Sequence, residues 1–315
     1  MYRLGIDLGG TNIVAAVVNK DYKIIAKVSC KTAVPRPEEE ICDSMAEVAL
    51  KAVKKAKITI DDIELVGIGV PGAVNPETGI IEYSANLFFH NWEIVKMMEE
   101  RLNKTVKIEN DANAAAYGEY LAGAAKGARN ALAITLGTGV GAGIIIDGKI
   151  YSGSNYAGAE MGHMVIVKDG KECACGRRGC WEAYASATGL INLTKEAILR
   201  GKPDYSYMFK LCDGDINNVN GMTAFKAMRE GDEIARQVVD TYISYLACGL
   251  VNAINIFQPD ILCIGGGISN EGENLLTPLR TIIERERYTK HNNKQTLVCT
   301  CELGNDAGII GAAFL

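Results

Sequence analysis

The chain has 315 residues, of which 48% are hydrophobic and 23% charged, with seven prolines and a net charge of −5. That balance excludes a disordered or low-complexity chain and leaves no electrostatic footprint for nucleic acid or an acidic membrane. A chain of this length is expected to form two domains, each with its own core, leaving a cleft between them.

In chain order, the first residues read as three strands in meander, over 2–8, 13–19 and 23–31, each closed by a turn signal. A helix over 35–57 follows, with Pro37 and three glutamates at its positive end and four lysines in its last turns. The continuous apolar run Leu65-Val-Gly-Ile-Gly-Val70 marks a strand buried on both faces, ending at Pro71-Gly72. Another short strand covers 106–109, and an alanine-rich helix over 111–123 has Asn110-Asp111 available as its cap.

Beyond a second glycine hairpin the chain is irregular as far as residue 180, and helices are then predicted over 181–199, 222–230 and 233–257. A buried strand over 260–264 is closed by Gly265-Gly-Gly267; a helix to 286, a strand over 295–301 and a small-residue helix over 306–314 complete the chain. Runs of strands and runs of helices in each half indicate an α/β protein with mixed sheets. The uncharged stretches 131–146 and 241–259 carry glycines or polar side chains and read as core, not membrane spans. Ten cysteines with no signal peptide before the first strand are expected to be thiols of a cytoplasmic protein.

Two stretches 128 residues apart repeat one pattern: Leu4-Gly-Ile-Asp-Leu-Gly-Gly-Thr11 and Leu132-Ala-Ile-Thr-Leu-Gly-Thr-Gly139, each leading into a second apolar strand. A strand, a glycine turn with a hydroxyl residue and a returning strand let the backbone approach phosphate oxygens closely. Such a repeat suggests duplication of a phosphate-holding half-domain. Asp7 stands where a Mg²⁺ on a nucleotide tail would need an oxygen ligand.

Asp111 follows a buried strand and has two readings: a helix cap, or the base that accepts the proton of an attacking substrate hydroxyl. The roles conflict, since a carboxylate bonded to helix amides is a weaker base; Asn110 could cap while Asp111 works. Downstream, Cys173, Cys175 and Cys180, with His163 ten residues upstream, suit a closed Cys₃His zinc site of structural type. One histidine is too few for a helical metalloprotease motif. A second pair, Cys299 and Cys301, reads as core. Asn86, Asn110, Asp111, Glu160, His163 and Glu182 are hydrogen-bonding groups suited to a sugar, and Gly265 to Gly267 could meet the adenosine side of a nucleotide.

Taken together, Ile6-Asp-Leu-Gly-Gly-Thr11, Glu109-Asn-Asp-Ala-Asn113, Leu136-Gly-Thr-Gly-Val-Gly141, Gly158-Ala-Glu-Met-Gly-His163 with its cysteine knuckle, and Asp306-Ala-Gly-Ile-Ile-Gly-Ala312 resemble the ROK family of sugar kinases and repressors over essentially the whole chain. Its bacterial ATP-dependent glucokinases are the most similar members. The resemblance implies an actin-like ATPase fold, two ribonuclease-H-like domains around a cleft: residues 1–116 plus 302–315, and a larger domain over 117–301 bearing the knuckle. It implies Asp111 as general base, with Gly72, Asn86, Asn110, Glu160, His163 and Glu182 near the sugar. Asp7, Gly9, Gly10, Thr11, Thr138 and Gly139 match the phosphate loops, and Gly265, Gly266 and Gly267 the adenosine region. The implied partners are glucose or a related hexose, ATP with Mg²⁺, and structural Zn²⁺ on His163, Cys173, Cys175 and Cys180, in a homo-oligomer, dimer or tetramer. Rival substrates are N-acetylmannosamine, N-acetylglucosamine, fructose and allose, and polyphosphate is a rival donor. Family repressors carry a DNA-reading domain ahead of the kinase-like part; with the first hairpin at Leu4, a kinase is expected instead.

Overall fold

The computed structural model describes residues 1–84, 87–201 and 206–315. In chain order the elements are β1 (Tyr2–Leu8), β2 (Asn12–Asn19), β3 (Ile24–Lys31), α1 (Glu38–Lys55), β4 (Ile63–Val70), β5 (Ala73–Asn75), β6 (Ile80–Ser84) and β7 (Phe89–Trp92). Next come α2 (Ile94–Leu102), β8 (Val106–Asn110), α3 (Asp111–Ala122), β9 (Ala131–Leu136), β10 (Val140–Ile146), β11 (Lys149–Ile150), α4 (Glu182–Ala185) and α5 (Ala187–Arg200). The chain ends with α6 (Tyr207–Lys210), α7 (Thr223–Arg229), α8 (Glu233–Phe257), β12 (Ile261–Gly265), α9 (Glu273–Glu286), β13 (Leu297–Thr300) and α10 (Ala307–Ala313).

These elements form two compact units, Met1–Ala133 with Gly143–Ala159 and Glu302–Leu315, and Ile134–Ala142 with Glu160–Cys301. Residues 117–133 group with the first unit. The reason is local: α3 runs unbroken through position 116, and its Gly118 packs so closely on α10 that an added Cβ would lie 2.1 Å from the Ala307 carbonyl oxygen.

In the first unit the sheet order is β3-β2-β1-β4-β8, with β1 to β3 antiparallel and β4 and β8 parallel to β1. Alternation along β1 sends Leu4, Ile6 and Leu8 into a core with Ile41, Met45 and Ala49 of α1. Gly5, between Leu4 and Ile6, faces the other way, where a Cβ would lie 2.1 Å from the Ile309 carbonyl oxygen, and on neighbouring β4 a Cβ on Gly67 would lie 1.7 Å from that of Ala312. So α1 and α10 cover opposite faces of one sheet. Helix α1 starts at Glu38, not at 35, because Pro37 holds an extended conformation ahead of it. The small antiparallel sheet β5-β6-β7 and helix α2 had no counterpart in the sequence reading. Strands of three to five residues are too short to show a period.

Another sheet has the order β11-β10-β9-β12-β13, and α8 supplies much of the second unit's core through Tyr242, Leu246, Leu250 and Ile254. Trp181 is fully buried against α8, seated where Gly249 has no side chain, and its indole N–H donates to the Tyr245 oxygen at 3.0 Å. The helix predicted over 181–199 is two helices, because Ser186 is extended and its hydroxyl accepts from the Gly189 N–H to cap α5. Among the described residues no helix is long and apolar enough to cross a membrane.

Candidate active site

The first unit gathers its chemistry where three strands end side by side. Asp7 pairs with Gly69 across β1 and β4, and Val70 pairs with Asn110 across β4 and β8. The turn Gly9, Gly10, Thr11 continues from β1, Gly72 from β4 and Asp111 from β8. Gly72 has φ +120, and a Cβ there would lie 2.2 Å from the Tyr83 oxygen. Its carbonyl accepts from Asn110 Nδ2 at 3.1 Å.

Asn110 caps α3. Its Oδ1 accepts from the N–H groups of Ala112 at 2.9 Å and Asn113 at 3.2 Å. Asp111, the exposed first residue of α3, takes one such bond, from Ala112 N–H to Oδ1 at 2.8 Å. Burial of the carboxyl by surrounding protein raises its pKa, and the Ala112 N–H opposes that shift without cancelling it. The Asp7 carboxyl is pushed up to about 6, first by burial and then by the charge of Asp111. Two carboxylates that repel each other form a pair that a divalent cation would relieve. Beneath them the buried Glu109 accepts from Asn110 N–H at 2.9 Å and from Asn113 Nδ2 at 3.0 Å, with Ser152 Oγ at 3.4 Å from its other oxygen. Sequence reasoning gave Glu109 no role; its place along the strand alternates with Lys107, and it is buried nonetheless, like Val106 and Ile108.

The second unit holds the other turn, Gly137 to Gly139. Glu182, first residue of α4, accepts from Val140 N–H at 2.9 Å, and its carboxylate occupies the space a side chain on Gly139 would need. Thr138 is the exposed middle residue of this turn. Gly265 closes β12, and Gly266, with φ +86, lies so near the end of β9 that a Cβ would be 2.3 Å from the Leu136 oxygen. Gly267 follows as the start of a short 3₁₀ turn.

His163, Cys173, Cys175 and Cys180 place their ligand atoms within 4.8 Å of one another. Cys173 Sγ is 3.6 Å from His163 Nδ1, and Cys175 Sγ is 3.7 Å from Cys180 Sγ. A zinc tetrahedron with Zn–S and Zn–N bonds of about 2.3 and 2.0 Å has edges of about 3.5 to 3.8 Å, so the donor set fits that ion. Burial, then the neighbouring thiols of Cys175 and Cys173, push the Cys180 thiol up to about 12, while the Arg177 N–H lowers that of Cys175. Cys173 Sγ also lies 3.7 Å from Glu182 Oε1, so one carboxylate touches both the thiol cluster and the glycine turn. The exposed Glu160 opens the turn bearing His163, accepting the His163 N–H on its carbonyl at 3.1 Å. Asn86 lies outside the described residues.

The first unit thus brings together Asp7, Gly9, Gly10, Thr11, Gly72, Asn110 and Asp111. The second brings Thr138 and Gly139 to Glu182, Glu182 to the four metal-ligand candidates, and Gly266 to β9.

A family model described as ROK matches residues 3–315. The glucokinase of Thermotoga maritima is 37% identical over 313 residues, 98% of this chain and 95% of that protein. The glucokinase of Streptomyces coelicolor is 36% identical over 315 residues, 99% of this chain and 96% of that one. Among solved structures, a ROK family glucokinase from Streptomyces griseus in complex with glucose and AMPPNP is 34% identical, covers 100% of this chain and 98% of its own, and has a TM-score of 0.81. With a family model spanning nearly every residue and a shared fold at this similarity, the chain belongs to the ROK family and has the actin-like ATPase fold.

Proposed function

We propose that the protein is an ATP-dependent hexokinase that phosphorylates the 6-hydroxyl of glucose, with Asp111 as general base. One observation carries the catalytic part: Asn110, not Asp111, caps α3, which leaves Asp111 with a single helix N–H on its carboxylate and a raised pKa. A raised pKa suits a base that must hold a proton as the hydroxyl attacks. Glucose and ATP are favoured by the glucokinase relatives and by the glucose and ATP analogue held in the Streptomyces griseus enzyme.

In this reading Asn110, Glu160, His163 and Glu182 hydrogen-bond the sugar, with Gly72 and Asn86 nearby. Gly9, Gly10, Thr11, Thr138 and Gly139 offer backbone and hydroxyl groups to the phosphates, Gly265 to Gly267 serve the adenosine end, and Asp7 supplies an oxygen to Mg²⁺. In-line phosphoryl transfer asks the protein mainly for positioning and charge, so rigid turns and one base suffice. His163 Nδ1, Cys173, Cys175 and Cys180 would hold zinc, whose closed four-ligand shell supplies structure to the loop that bears Glu160. With Nδ1 turned to the cluster, His163 keeps Nε2 for a sugar hydroxyl.

The test is ADP release over a panel of glucose, N-acetylmannosamine, N-acetylglucosamine, fructose and allose, with ATP and then polyphosphate as donor. Glucose with ATP is expected to show the highest kcat/KM, and a faster rival would replace it. Asp111→Asn is expected to lower kcat by about 10²-fold or more while calorimetry still detects glucose binding. Turnover near that of the unsubstituted enzyme would remove Asp111 from the role.

A further inference from the structure

Each glycine turn has at least one carbonyl oxygen engaged by a threonine from outside the hairpin. In the first turn the buried Thr32 donates its hydroxyl to the Gly9 oxygen at 2.6 Å and its N–H to the Thr11 oxygen at 2.9 Å. The turn closes on itself through Gly9 N–H and the Asn12 oxygen at 3.0 Å. In the second, the Thr188 hydroxyl donates to the Thr138 oxygen at 2.8 Å, Ala187 N–H to the Gly137 oxygen at 2.8 Å, and Gly137 N–H to the Gly139 oxygen at 3.0 Å. The acceptors of both turns are thereby largely spent. Among the described residues none accepts from the N–H groups of Gly10, Thr11, Thr138 or Gly139.

Carbonyl oxygens repel a phosphate and N–H groups attract it, so the peptide planes of a turn decide whether it binds an anion. Glycine-rich turns flip those planes at little cost, and a hydrogen bond from outside removes that freedom. We propose that Thr32 and Thr188 are positioning residues that make the two turns selective for the phosphate chain of a nucleotide, by holding their carbonyls and leaving four N–H groups unpaired. The proposal rests on the kinase reading. Thr32 is the stronger of the two, since it is buried and makes two bonds, whereas Thr188 is exposed and its bond competes with water.

The experiment compares Thr32→Val, Thr32→Ser, Thr188→Val and Thr188→Ser in the full chain, titrating Mg-ATP and glucose separately by calorimetry and measuring KM for each. Thr32→Val is expected to weaken Mg-ATP binding about tenfold and Thr188→Val about threefold, with glucose affinity changed less than about twofold. Serine keeps the hydroxyl and is expected to restore Mg-ATP affinity at both positions. Should Thr32→Val fail to fold, Thr188→Val with Thr188→Ser rescue decides the matter. Valine variants that bind Mg-ATP normally, or that lose glucose and Mg-ATP affinity equally, overturn the proposal. If the unsubstituted protein binds glucose but no Mg-ATP, the kinase reading itself falls and this assignment falls with it.

Discussion

Asp7 and Asp111 show how a single charge is made useful by its surroundings. The Asp7 carboxyl sits at about 6 against an ordinary 3.8, raised by burial and then by Asp111. A group whose folded pKa is raised is harder to ionise in the folded state, so its ionisation costs stability above that pKa and nothing below the unfolded value. Replacing Asp7 with Asn is therefore expected to raise the melting temperature of the nucleotide-free protein at pH 7 to 8. The gain should shrink as pH falls through 6 and vanish near 4, as calorimetric scans across that range would show. The same substitution should abolish Mg²⁺-dependent tightening of ATP binding, a trade of stability for function. For Asp111 the sign acts on rate. If Asp111 is the base, its raised pKa keeps it protonated to a higher pH than a free carboxyl, so kcat should fall on the acid side above the ordinary carboxylate range. A pH–rate profile with no acid limb there would contradict Asp111 as the titrating base.

Helix α10 is small-residue apart from Ile309 and Ile310, and its backbone lies against glycines on β1, β4 and α3. A methyl on Gly67 would sit 1.7 Å from the Ala312 oxygen, a backbone atom with no freedom to turn aside. Gly67→Ala is therefore expected to destabilise the protein by about 1 to 3 kcal/mol or more, measured by urea titration. Such elements were legible in the sequence where a pattern ran long enough. The 25-residue α8 and the two glycine hairpins fall where the sequence reading put them. The break at Ser186 was missed because apolar residues continue at helical spacing across it, and only the hydroxyl cap on Gly189 shows that the chain restarts there. At the candidate site the residue types were readable, since carboxylates, cysteines and glycines announce their chemistry. Partnership was not. Nothing in the spacing shows that Asn110 rather than Asp111 takes the cap, that Glu109 lies under both, or that Thr32 reaches back across 23 residues to Gly9.

At the scale of the molecule, the sheet β3-β2-β1-β4-β8 lies within the first unit and the thiol cluster wholly within the second. Zinc bound to the folded cluster but not to unfolded chain would stabilise that unit alone by mass action. The cluster is also joined to the glycine turn, because Glu182 touches Cys173 with one oxygen and Val140 N–H with the other. If the cluster holds zinc as proposed, removing it with a chelator, or substituting Cys175→Ser, is expected to lower the melting of the second unit while the first keeps its transition. Mg-ATP affinity should drop at temperatures where both units remain folded, because Cys173, freed from a metal, leaves the Glu182 carboxylate that bonds the Val140 N–H less firmly placed. Differential scanning calorimetry paired with Mg-ATP titration separates the two effects. A chelated protein that melts as before and binds Mg-ATP as before would break the link between cluster and turn.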